Sequence, residues 1–318
     1  MVVTYGEALV DLIEQLDGSF AAILGGSVCN FTVAAARQGM AATYLNPLSM
    51  DSFGARFAHQ LGGAGVNLAS VRRSTLPTSL AVVTLDASGV PSYAFHRAAV
   101  ADRDISLEQA RALLPDAVNL FHTGGLALVP ADLATTLGVA KAAADAGALV
   151  SIDANMRPLA EPDLQLYAAG VRRALAMAHL VKVSEEDLQY LGLTDADPVA
   201  AARTLFDGTM VQLVALTLGG QGGVLLSRTA TVALPVPPNV VVVDTVGAGD
   251  CFQAGLVASL DETGALAPSA LAGLDARALE HALRYAIATA SINVMRKGCN
   301  PPLRAEVAHF LLTTGDLA

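Results

Sequence analysis

The sequence predicts an α/β fold: a mostly parallel central sheet with helices on both faces, and a small β lid beside it. Three observations point there. From about residue 106 to 235, short apolar runs alternate with segments of helical length, the pattern of successive βαβ units. Val240-Val241-Val242-Val243 is too short and too β-branched for a helix, so it reads as a strand covered on both faces; two glycines then lead into an apolar stretch of helical length, Cys251 to Leu260. Residues 79–100 alternate with the strand period of two, and the lid is expected from segments at about 11–23 and 79–101.

With 318 residues, 53% of them hydrophobic and 15% charged, the chain can bury a large core. No Pro/Ser-rich linker or charge block divides it, which predicts a single domain over 1–318. The formal charge is −10, and the only lysines are Lys141, Lys182 and Lys297, so nucleic acid is not expected as a partner. Any site for an anionic nucleotide must then be built locally from amides, arginines and metal. Cys29, Cys251 and Cys299 lie far apart without a metal-ligand spacing and read as reduced thiols. The first residues lack a basic segment, and no run approaches the roughly 18 apolar residues of a membrane span. A cytoplasmic protein without a membrane partner is expected.

Val2–Tyr5 reads as the first strand, with Gly6, Glu7 and Asp11 beyond it, where α/β proteins gather ligand groups. Asp11 taken alone is either a site carboxylate or a solvated one. In Gly25-Gly26-Ser27-Val28-Cys29-Asn30, Ser27 can cap a helix with Asn30 three residues on. Tyr93, Phe95 and Arg97 share a strand face that could close over a ligand or pack on a partner subunit, and His96 reads as a surface residue. Leu107–Leu114 and Leu133–Ala146 are expected helices, and Ala148–Ile152 a strand. Past that strand, Asp153, Asn155 and Arg157 point one way if the chain stays extended. Arg157 is either a fork of donors for phosphate or half of a surface pair with Glu161. Leu180–Val183 is a further strand, and Ser184-Glu185-Glu186-Asp187 after it is a good helix start. Leu213–Leu218 reads as a strand, and Gly219-Gly220-Gln221-Gly222-Gly223 as a turn into Val224-Leu225-Leu226.

Asp244-Thr245-Val246-Gly247-Ala248-Gly249-Asp250 carries the chemistry. Glycines at 247 and 249 allow close approach of a ligand to the backbone, and the free N–H groups of the following helix's first turn form an anion site. A carboxylate at 250 would repel a bound phosphate. Its presence is explained if it accepts a proton from an attacking hydroxyl, and a helix cap is the competing reading. No G-x-x-x-x-G-K-[ST] run exists, and no G-x-G-x-x-G follows the first strand.

Asp244, Thr245, Gly247, Ala248, Gly249 and Asp250, followed by an apolar helix, resemble the D-T-x-G-A-G-D signature of the ribokinase-like (PfkB) carbohydrate kinases. The Gly25-Gly26 pair before an Asn-bearing helix and landmarks in order to about residue 302 extend the resemblance over nearly the whole chain. His96 to Asp102 and the Asp153-x-Asn155-x-Arg157 segment are most similar to the fructokinase-type members. The resemblance implies a ribokinase-like fold and Mg2+- and ATP-dependent phosphorylation of a monosaccharide's primary hydroxyl. Asp250 is then the base, Gly247, Ala248 and Gly249 the anion hole, and Arg157 a donor to the transferring phosphate. It implies sugar contacts from Asp11, Gly25, Gly26, Asn30, Arg97, Asp153 and Asn155, and nucleotide contacts from Ser184, Thr217, Gly219, Gly222, Gly298 and Asn300. Glu186 is the preferred water-mediated Mg2+ residue, since Ser184 and Asp187 stand where members often have Asn and Glu. Asp244 is assigned to a monovalent cation such as K+. An adenine-facing Asn of the family falls near Ala286. Fructose leads among sugars, ahead of 2-keto-3-deoxygluconate and ribose; a nucleoside kinase and a non-catalytic sugar or nucleotide sensor are the alternatives. A homodimer pairing the β lids is expected.

Overall fold

Two sheets organise the chain. The computed structural model describes residues 1–15, 17–85 and 91–314; residue 16 of the predicted lid segment 11–23, and residues 86–90 of the segment 79–101, lie outside the described residues. The strands are β1 (Val2–Thr4), β2 (Leu9–Glu14), β3 (Phe20–Gly25), β4 (Ala42–Tyr44), β5 (Asn67–Leu68), β6 (Ser79–Leu85), β7 (Pro91–His96), β8 (Leu120–Gly124), β9 (Leu149–Asp153), β10 (Leu180–Ser184), β11 (Leu213–Thr217), β12 (Gly223–Ser227) and β13 (Thr231–Leu234). Among the described residues, the larger sheet has nine strands in the order β13-β12-β11-β10-β9-β8-β1-β4-β5, and only β12 runs against the others. The smaller sheet has the order β3-β2-β6-β7, with β2 and β6 parallel.

Helices cover both faces of the large sheet, as its apolar strands require. On one face, Val150, Ile152, Val181 and Val183 pack with Val139, Ala143, Tyr167, Val171 and Leu175 of the helices Pro130–Asp145 and Leu164–Ala176. On the other, Leu120, Leu149, Leu180 and Leu213 pack with the helices Ser27–Arg37, Ala248–Glu262 and Ala276–Val294. Parallel pairing brings the C-terminal ends of β1, β8, β9, β10 and β11 to one edge. The residues just after these ends share one rim.

The expected strand at Val240–Val243 does not form. Val241, Val242 and Val243 are 60–71% exposed, and the segment runs as a loop. The reason lies just before it: Pro235, Pro237 and Pro238 follow β13, and proline cannot donate to a ladder. The loop is instead tied to the end of the helix Ala276–Val294, where Val243 and Asp244 N–H both donate to Val294 O.

The helix Ala248–Glu262 is seated against Ala276–Val294 at Gly255. A Cβ there would stand 2.5 Å from Thr289 Oγ1 and 3.1 Å from Ala286 Cα, so the two backbones meet where no side chain fits. Gly255→Val is expected to cost about 1–3 kcal/mol through overpacking. A lower denaturant midpoint at an unchanged m-value would report it.

Candidate active site

Gly247 starts the helix Ala248–Glu262 from a left-handed backbone, φ +73°, and a Cβ on it would fall 2.3 Å from Cys299 Sγ. Only glycine satisfies both demands. Ala248 N–H closes a turn on Thr245 O at 3.2 Å, so this amide of the expected anion hole is already engaged. The neighbouring N–H groups of Gly249 and Asp250, in the helix's first turn, have no intrahelical partner.

Asp250 does not cap its helix. Its Oδ1 accepts from Ser27 Oγ at 2.8 Å and its Oδ2 from Asn30 Nδ2 at 2.9 Å, both on the helix Ser27–Arg37. The carboxyl is buried, which raises its pKa, while the Asn30 and Ser27 hydrogen bonds and the charges of Lys182 and Arg157 hold the rise in check. A carboxylate so placed is a better base than one in water.

Asp250 lies at the floor of a cavity of about 370 Å³ between the strand ends of the large sheet and the inner face of the small one. Glu7, Asp11, Asn30, Asn155, Arg157 and Lys182 supply its polar wall; Leu9, Ile13, Ile23, Tyr93 and Phe95 supply the apolar one. Tyr93 and Phe95 stack, with ring centroids 6.1 Å apart. Burial pushes Asp11 up to about 6 against the opposing charge of Arg157. It also pushes Glu7 up to about 7 against Arg97. Gly25 is small because its Cβ would stand 2.6 Å from Asp11 Oδ2, and Gly26 lines the cavity itself. Arg157 is exposed at the rim and donates to the carbonyls of Asn155 and Met156.

Two expected sugar contacts are placed elsewhere. Arg97 lies one residue past β7, and its guanidinium turns inward to Asp102 (2.9 Å), Leu126 O (3.0 Å) and Asp132 (3.4 Å). A buried cation takes the buried carboxylates within reach. It therefore braces the cavity wall from behind. Asp153 is likewise buried, with both oxygens 3.0 Å from Lys182 Nζ.

A second cavity, about 430 Å³, lies across the Thr245–Gly249 loop, and Thr245, Ala248 and Gly249 line both. Its walls are Ser184, Glu185 and Glu186, then Thr217, Gly219 and Gly222, and an apolar side from Val240, Val242, Ile287, Ala290 and Val294. The valines misread as a strand are part of this wall. Ser184 also caps the helix Glu185–Tyr190 in a capping box with Asp187. Ala286 is fully buried in the core, so the helix face on the cavity is that of Ile287, Ala290, Ser291 and Val294. Gly298 and Asn300 do not line it. Gly298 N–H donates to Asp244 Oδ2 and Asn300 N–H to Asn293 Oδ1, both at 2.8 Å, which pins this loop to the start of the glycine segment. Among the described residues, no group of three or more His, Cys, Asp or Glu could hold a metal ion unaided. Glu185 and Glu186 thus suit an ion that arrives with phosphate oxygens and water as its main ligands.

Sequence reasoning missed Lys182, Ser27 as a partner of Asp250, and Asn293, whose amide spans Val246 O and Asn300 N–H. Only Lys182 left a trace: a cation inside an apolar strand, Leu-Val-Lys-Val. The three cysteines are free.

Two cavities meeting at an Asp-bearing helix start suit transfer of a group from one ligand to another. Residues 1–306 match the pfkB family carbohydrate kinases. The chain belongs to this family. It is 32% identical over 316 residues to Fructokinase-1 of Oryza sativa subsp. japonica, covering 96% of this chain and 95% of that protein. The fructokinase of Xylella fastidiosa solved with bound ATP has a TM-score of 0.88 and 30% identity, covering 99% of both chains. That of Vibrio cholerae O395 in fructose-, ADP- and calcium-bound form has a TM-score of 0.80 and 25% identity, covering 98% of both.

For this pfkB kinase, Asp250→Asn is expected to lower kcat by at least ~10²-fold, as removal of a positioned base does. Nucleotide affinity should be equal or better, because a charge beside the phosphate site is removed. Because burial raises the Asp250 pKa, the base is lost by protonation as pH falls, and the acid limb of wild-type kcat/KM should lie above the ordinary aspartate range. A variant with near-normal turnover would refute the assignment.

Proposed function

We propose that this kinase transfers the γ-phosphoryl group of ATP to a primary hydroxyl of fructose. The observation that carries the reading is Asp250, buried on a helix start that lines both cavities at once. The sugar occupies the smaller cavity, with Asp11, Asn30 and Asn155 offering hydrogen bonds and Tyr93 and Phe95 excluding water. ATP occupies the other, its base against Val240, Val242 and Ile287 and its phosphates toward Gly249. Asp250 takes the hydroxyl proton as the sugar oxygen bonds to phosphorus. The bond from the γ-phosphorus to its bridging oxygen breaks, and ADP leaves. First-turn amides and Arg157 stabilise the charge on the transferring group. Mg2+ bound with the nucleotide, near Glu185 and Glu186, would neutralise phosphate charge, and Asp244 is assigned to a monovalent cation.

The free cysteines favour a reducing compartment, which supports a cytoplasmic location. The small sheet leaves β3 and β7 as edges and Phe20 and Tyr93 partly exposed, which supports a homodimer formed through that sheet. A dimer mass by sedimentation at micromolar concentration is expected, and a monomer would overturn this part.

With a panel of free sugars and nucleosides in a coupled ADP-release assay, fructose is expected to show higher kcat/KM than ribose, 2-keto-3-deoxygluconate or any nucleoside. Equal or reversed preference would sink the fructose assignment. No turnover with any acceptor would favour a sensor.

A further inference from the structure

Lys182 has no part in the expected chemistry, yet its side chain ends in the sugar-side cavity next to the anion hole. Its ammonium stands 3.0 Å from the point where a Cβ on Gly249 would lie, so it packs against the backbone of the expected anion hole at Gly249. β9 and β10 are paired in register, with Lys182 opposite Asp153 near the strand ends, and Asp153 takes two hydrogen bonds from Nζ at 3.0 Å each. An ammonium has three hydrogens. The third is left for a ligand in the cavity whose wall Lys182 forms.

Packing alone does not account for this pair. Both side chains are at most 5% exposed, and a buried ion pair generally contributes little stability over apolar residues of similar size. Arg157, the cation expected to meet the phosphate, is exposed and engaged with backbone carbonyls. We propose that Lys182 is a catalytic residue whose ammonium contacts the γ-phosphoryl group and neutralises charge on it during transfer, with Asp153 as the residue that positions it. This rests on the kinase reading above. Burial works against the charge on Lys182, but Asp153, Asp187 and Asp250 outweigh burial and keep it protonated. The ammonium is thus a fixed charge, and Asp153 holds its place when the cavity is empty.

Lys182→Met alone would leave Asp153 buried without its partner, so the deciding variant combines Lys182→Met with Asp153→Asn and removes both charges. We expect kcat to fall by about 10²-fold or more, as for loss of one preorganised donor, with the melting temperature near wild type. Calorimetry should show ADP binding within about twofold of wild type and binding of the non-hydrolysable analogue AMP-PNP weakened by roughly tenfold, as expected for one lost charge-assisted hydrogen bond. A double variant with near-normal kcat, or with ADP and AMP-PNP affinities changed equally, would overturn the proposal. A measurement on the wild type needs no variant to fold. With three lysines in the chain, the Lys182 side-chain nitrogen resonance is readily resolved in a ¹⁵N-lysine sample. It should shift with AMP-PNP and not with ADP, and a shift with neither or equally with both would refute the contact. The binding arms need no sugar, so a wild type that phosphorylates nothing would reject the kinase reading while still testing the contact.

Discussion

The carboxylate of Asp250 ties together two helix starts that are more than 200 residues apart in sequence. Ser27 and Asn30 reach it from one helix while it belongs to the first turn of another. This arrangement is possible because both helices pack on the same face of the large sheet and begin at the same strand-end rim. Each hydrogen bond to a buried charge contributes modestly, yet either lost alone leaves a carboxylate oxygen unsatisfied in the interior. The geometry is therefore stiff around this carboxylate, and the opening on either side is left to the two cavities.

Electrostatics around this point explain how a chain of net charge −10 can present a site for an anionic ligand. The positive character is local. It comes from amides at a helix start, from Lys182 and from Arg157, and the acidic groups nearby are largely buried. Burial raises Glu7 to about 7 and Asp11 to about 6, which lowers the negative charge that the cavity shows near neutral pH. Arg97 contributes from outside the cavity, where Asp102 and Asp132 hold its guanidinium and its contact with Leu126 O steadies the wall. A cation that looked like a ligand contact thus acts as support.

The small sheet forms the roof of the smaller cavity because its strands alternate. Asp11, Ile13 and Ile23 look into the cavity, whereas Val10, Leu12, Ala22 and Leu24 pack below with the helix Ser52–Gly63. The other cavity is different in kind. Its wall is a loop of valines and one face of the helix Ala276–Val294, held together by hydrogen bonds from Val243, Gly298 and Asn300. Apolar side chains exposed there line a cavity instead of joining the core.

Local pattern was enough to read the alternation of strands and helices, the glycine segment and the acid that follows it. Each is a matter of period, length or backbone freedom, properties a residue has before it meets distant partners. By itself the sequence determined the α/β class, the glycine-framed helix start and Asp250 as the residue of interest. Tertiary structure alone decided which neighbours each charge met. Arg97 and Asp153 were diverted to buried partners because an ion inside a protein must be paired, Lys182 was drawn into the site by its register against Asp153, and Val240–Val243 was left out of the sheet by the prolines before it. Sequence alone allowed the Asp250 carboxyl to cap its own helix, and only the fold shows it turned to Ser27 and Asn30 instead, because those partners lie more than 200 residues away in the chain.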